Sequence, residues 1–214
     1  MPTSQQILAG LAATVDHFWY VAVAWHLGIL GLVLALVSGW RPAARTAASM
    51  LVAPMLSVAL LARIAGSPFN AVVFLALSAL FFAVARRLHT APVRLGPRWQ
   101  VIAGAAMIAF GWFYPHFVHG SSLLVYLYMA PTGLIPCPTL ATIVGFSILF
   151  NGFGSRAWGA IVAFAGLFYG LFGGFRLGVH IDHLLTAGAL ALSVISLKTH
   201  GTRHDEESGR SRIT

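Results

Sequence analysis

Apolar runs of about 20 residues recur along this chain from Ala13 to Leu197, each long enough to cross roughly 30 Å of hydrocarbon. Water is absent there, so every backbone N–H and C=O must find a partner inside the protein, and a run of this kind becomes a helix. The rest of the composition agrees. The 214 residues are 58% hydrophobic and 8% charged, whereas a soluble domain carries roughly 25% charged residues. The sequence therefore predicts an all-α, polytopic helical membrane bundle.

Seven spans are predicted. They run from Val15 to Ser38, Ala43 to Ile64, Pro68 to Val84, Trp99 to Phe117, Pro138 to Phe150, Ala157 to Phe175 and Val179 to Leu197. Pro54 lies inside the second span, where neighbouring helices can re-satisfy the carbonyl it frees. Ser67-Pro68 is a fair start for the third. The segment from Val118 to Ile135 reads either as a short amphipathic or re-entrant helix or as a surface loop. Residues 1–198 make a single integral membrane domain, and the polar, Gly/Ser-rich 199–214 is expected to be a disordered cytoplasmic tail. The N-terminus lacks the basic stretch of a cleaved signal peptide, so the first run is expected to be a permanent span.

The net charge is +8, from 13 Lys+Arg against 5 Asp+Glu. A basic balance can mean nucleic acid, but these cations lie at the ends of apolar runs rather than along one face. Sorted by side, one set of loops and the tail hold Arg41, Arg45, Arg86, Arg87, Arg94, Arg98, Arg156, Lys198, Arg203, Arg210 and Arg212. The other side holds Arg63 and Arg176. The positive-inside rule then puts the N-terminus outside and the C-terminus in the cytoplasm. The implied setting is a cell membrane crossed many times, with the lipid bilayer as partner and no nucleic acid.

Polar side chains are costly in hydrocarbon and tend to mark function. One stretch, Tyr114 to Phe150, concentrates them. It carries His116 and His119 and the only cysteine, Cys137, between Pro136 and Pro138. A lone cysteine excludes an intrachain disulfide. Asp16 and His17 begin span 1, and His180, Asp182 and His183 begin span 7, so all these groups fall in the same, outer leaflet. His26 lies about 13.5 Å deeper along its helix. His116/His119 and His180/His183 share an i,i+3 spacing, which places each pair on one helical face. Two such pairs can offer imidazole ligands to zinc or copper, with Cys137 nearby. The expected metal set is therefore His116, His119, Cys137, His180 and His183. Arg176 or a water is the expected partner of Asp182.

Blander readings stand beside this one. An interfacial histidine can simply sit among headgroups, His26 can be a hydrogen-bonded core residue, and a buried thiol behaves as a small hydrophobe. Gly166, Gly170 and Gly174, with Gly173 beside them, form a small-residue face on span 6. Such a face serves helix contacts within the chain, or a homo-oligomer or membrane-complex partner. No lysine lies inside a span, and no Walker A, GxSxG, HExxH or dinucleotide fingerprint is present.

The run APTGLIPCPTLATIVGFSIL resembles a signature of an uncharacterised family of multi-pass prokaryotic integral membrane proteins, a domain of unknown function. In that family a Pro-Cys-Pro-Thr run opens a membrane helix. SPFNAVVFLALSALFF and LGVHIDHLLTAGALAL are similar to two further segments of it. FWYVAVAWHLGIL is similar to its first span, but has His26 where the family tends to have proline. The resemblance implies pattern positions at Asn70, Pro136, Cys137, Pro138, Thr139 and Asp182. The histidine pairs fall outside that pattern, and the family brings no activity with it.

The function expected from these readings is metal binding or metal handling at an outer-leaflet His/Cys/Asp site. The site comprises the five residues named above with Asp16, His17, His26, Asn70 and Asp182 around them. The alternatives are a small-solute or proton transporter, and a non-catalytic subunit holding haem between histidines of spans 1, 4 and 7.

Overall fold

The computed structural model describes residues 3–118 and 123–210, with side chains through Lys198. The described residues form helices and the turns between them, and one antiparallel bridge joins Ala43 to Pro92. Five helical segments are long and apolar enough to cross a membrane: Trp19–Val37, Ala44–Ile64, Pro68–Ala85, Arg156–Arg176 and His180–Lys198. These are the helices of a multi-pass membrane protein.

The chain opens with a helix that the hydropathy pattern hides. α1 (Ser4–His17) starts at a capping box in which Thr3 and Gln6 satisfy each other's backbone N–H groups. Its apolar residues Ile7, Leu11 and Val15 recur at helical spacing. After a single non-helical residue, Phe18, the first span follows as α2 (Trp19–Val37). Span 1 therefore begins at Trp19 rather than Val15, and Asp16 and His17 belong to α1.

The second span is two helices, α3 (Ala44–Met50) and α4 (Val52–Ile64), broken at Leu51. Pro54 explains the break. It has no N–H to give the Met50 carbonyl, and its ring crowds that carbonyl. α5 (Pro68–Ala85) uses its proline in the first turn, where a missing N–H leaves nothing unpaired.

α6 (Arg98–Trp112) has 15 residues, about 22 Å of rise. After it the backbone enters the ambiguous segment. That segment contains a 3-10 turn at Leu123–Val125 and a short helix, α7 (Tyr126–Met129), and then folds inward so that Ala130, Thr132, Leu134 and Ile135 are buried. α8 (Pro136–Leu149) begins two residues earlier than expected, with Pro136 in its first turn. It has 14 residues, about 21 Å. α9 (Arg156–Leu171) continues through a π-helical turn at Phe172–Arg176. α10 (His183–Arg210) follows a 3-10 turn at His180–Asp182 and stays helical beyond Lys198, so the boundary expected at 198 is not a helix end.

α8 is the axis of the bundle. Apart from the part-buried Cys137, its residues are buried on every face. α6, α9, α10 and α4 surround it. A helix that is apolar all round belongs in such a position. The closest approach is between α6 and α8. A Cβ on Gly104 would stand 2.7 Å from the Gly145 carbonyl oxygen, and one on Gly145 would stand 2.7 Å from the Ile108 nitrogen. Only hydrogen fits there, and the two backbones meet as small residues allow within membranes. Gly166 and Gly170 likewise face Ala189 and Thr186 of α10. At Gly166 and Gly170 the glycine face of span 6 thus packs against a helix of the same chain.

Gly145→Ala should wedge α6 away from α8 and cost about 1–3 kcal/mol. Thermal unfolding in detergent checks this, with Gly31→Ala as control, because a Cβ on Gly31 meets no atom within 4 Å. Equal melting temperatures for the two variants would contradict the close approach.

Candidate functional site

Three breaks in helical structure meet at one end of the bundle. α6 stops at Trp112 because Pro115 is three residues ahead and biases its predecessor out of the helix. α8 starts there at its Pro-Cys-Pro run. α9 widens there into the π turn, whose Leu177 N–H donates to the Phe172 carbonyl at 3.1 Å. π-helical turns gather at functional sites because they re-aim side chains.

Asp182 sits among these breaks. It is 1% exposed, and it is the one carboxylate within the described bundle core. Tyr114, also 1% exposed, donates its hydroxyl to Asp182 Oδ1 at 2.7 Å. Cys137, His116 and His183 are the polar groups in its surroundings. The Cys137 thiol also points toward the Tyr169 carbonyl, with Sγ 3.9 Å from the oxygen. Tyr169 in turn donates its hydroxyl to Asn70 Oδ1 at 3.1 Å, which brings α5 into the cluster. Gly173 makes the arrangement possible, because a Cβ there would collide with Asp182 Oδ2 and stand 2.8 Å from its Cγ.

Asp182, Tyr114, Cys137, Tyr169 and Asn70 line a cavity of about 40 Å3. A single water needs roughly 10–15 Å3 on this measure, so the space suits about three waters and no larger solute. Ile7 and Leu11 of α1 form part of its wall. Arg176 Nη1 donates to the Ser4 hydroxyl at 2.6 Å, and the Ser4 hydroxyl donates to the Arg176 carbonyl at 2.9 Å. α1 is thereby tied to the π turn.

The described members of the expected metal set do not form an ion site. Among the described residues no three His, Cys, Asp or Glu side chains gather in a way that could hold an ion. His116 is not on a helix, because α6 has already ended, and its ring stacks edge-on against Phe117 at 4.3 Å. His183 is part-buried against Phe175 at 4.8 Å. His180 is exposed, with its ring 6.3 Å from that of His183. His119 lies outside the described residues.

The remaining expectations divide. Asp16 and His17 are exposed on α1. His26 is 3% exposed, with Nδ1 2.8 Å from the Ala22 carbonyl oxygen and Nε2 3.1 Å from that of Trp112. A neutral imidazole has one N–H, which donates to one of these two carbonyls, so His26 is a buried packing residue between α2 and the end of α6. Arg176 is not the partner of Asp182, being held by Ser4. Asn70, Pro136, Cys137 and Asp182 line one cavity.

The sequence reading missed Tyr114 and Tyr169. A tyrosine at the end of an apolar run looks like an interfacial anchor. Its role as a buried donor shows only once its acceptor, 68 residues away for Tyr114, is in place.

Compared with models of known protein families, with curated proteins and with solved structures, the chain matches none.

Proposed function

We propose that the chain is a membrane transporter in which Asp182 is the proton-binding group. The observation that carries this reading is a buried carboxyl that receives a phenol hydroxyl, faces a water-sized cavity and has no cation bonded to it among the described residues. A carboxylate without a cation is expensive in an apolar interior, and an ionisable group inside a membrane bundle is the usual mark of a proton or ion path. The cavity volume favours a proton over a solute at this point. The broken helix ends around it resemble the way transporters build midplane sites from interrupted helices.

In this reading α6 and α8 join the five long helices to give seven spans, with the N-terminus outside and the tail in the cytoplasm. Both are shorter than the roughly 30 Å of hydrocarbon. α8 does not need to match the lipid because it is sheathed in protein. The eleven-to-two sorting of cations supports the orientation. Asp182, Tyr114 and Cys137 then lie beneath the outer surface under α1. Metal handling is set aside because its ligands are not gathered among the described residues.

Purified protein in vesicles loaded with a pH-sensitive dye should carry protons faster than protein-free vesicles under an imposed potential. Asp182→Asn should return the rate to that of protein-free vesicles. Wild-type protein without flux, or a variant with undiminished flux, would contradict the assignment.

The orientation has its own check. A protease-cleavable tag ahead of Met1 should be cut from outside intact cells, and one after Thr214 should be cut only after lysis. The reverse pattern would overturn the topology.

A further inference from the structure

The structure holds a second cavity, far larger than the one at Asp182 and independent of it. α2 rests mainly on α7 and α1 and stands away from α3 and α4. A side-chain bond joins it to α4, from Trp25 Nε1 to Ser57 Oγ at 3.1 Å. Beyond that bond the helices diverge and leave a cleft of about 460 Å3. We propose that this cleft binds one acyl chain of a membrane phospholipid, with an anionic headgroup held at Arg41.

The walls set the chemistry of the occupant. Ile29, Leu32, Trp40, Met50, Pro54 and Phe146 are apolar. The floor carries Thr132, Thr139 and Thr142, but their hydroxyls are already spent. They donate to the carbonyls of Gly111, Ile135 and Pro138 at 2.7, 2.7 and 3.0 Å. Nothing in the floor asks for a polar ligand. Both flanking segments are membrane-spanning, so the medium beside the cleft is hydrocarbon.

Size narrows the choice. An apolar cavity of about 150 Å3 holds one benzene, and this cleft offers roughly three times that room. The cleft runs along α2 between Trp25 and Trp40, and that room takes a single hydrocarbon chain.

Charge fixes the headgroup. Trp40 lines the end of the cleft, and Arg41 follows it. Arg41 Nη1 donates to the Leu36 carbonyl at 2.5 Å and to that of Trp40 at 2.9 Å, which folds the guanidinium over the end of α2. The group has five N–H donors, and these bonds use one nitrogen. Arg45 stands nearby in the chain, and no acidic residue occurs between Asp16 and Asp182. A phosphate is the natural partner of a guanidinium with donors to spare.

Native mass spectrometry of the full-length protein in mild detergent tests the proposal, with phosphatidylglycerol or phosphatidylcholine added at equal concentration. The expected result is one bound lipid per chain and a preference for phosphatidylglycerol. Gly31→Leu fills the cleft from α2, where a Cβ meets no atom within 4 Å and loss of a helical glycine favours the helix. It should weaken binding at least about tenfold. Ala53→Leu should do the same from the opposite wall. Arg41→Gln should erase the preference between the two lipids while chain binding persists. Undiminished lipid binding by both cleft-filling variants would overturn the site. A wild-type protein indifferent to headgroup, or a second protein chain retained in place of lipid, would overturn it equally.

Discussion

The hydrogen bond from Tyr114 to Asp182 is the contact on which one end of this bundle turns. A carboxyl buried in a membrane protein must be satisfied from within, since neither lipid nor bulk water can serve it. Tyr114 supplies the donor from the segment after α6, while Asp182 sits just before α10. The two helices are therefore joined at the level where α8 starts and α9 widens. The π turn follows from the same demand. It brings Gly173 against Asp182, the only kind of residue that leaves room for the carboxyl.

Below that level the bundle is held mainly by shape, with few polar contacts between helices, among them Trp158 Nε1 donating to Ser147 Oγ at 2.9 Å. α8 is encased, and α6 lies on it through Gly104 and Gly145. Apolar side chains gain nothing by leaving lipid for other apolar side chains, so close backbone approach carries the association. His26 packs between α2 and the end of α6. α2 has few polar ties, which is why a cleft opens beside it while the rest of the bundle closes.

Much of the helical framework was legible in the sequence because length and apolarity are local properties. Five of the expected spans fall on helices long and apolar enough to cross a membrane, and the first of these begins at Trp19. The Pro-Cys-Pro run did open a helix, as proline chemistry requires. What was not legible depended on structure that local pattern does not carry. The i,i+3 argument for His116 and His119 assumed a helix that had already stopped at Trp112. The argument for His180 and His183 placed two rings near each other but could not say what faced them. α1 was hidden because moderate apolarity falls below a span threshold, although its capping residues were visible. Tyr114 was hidden because a donor is recognised by its acceptor, and that acceptor is distant in the chain.

The coupling between Tyr114 and Asp182 tests the central claim most directly. It is read from the unfolding free energies in detergent of wild type, Tyr114→Phe, Asp182→Asn and the double variant. A buried hydrogen bond of this kind predicts a coupling of about 1–3 kcal/mol, with the double variant less destabilised than the sum of the singles. Strict additivity of the two substitutions would contradict the account.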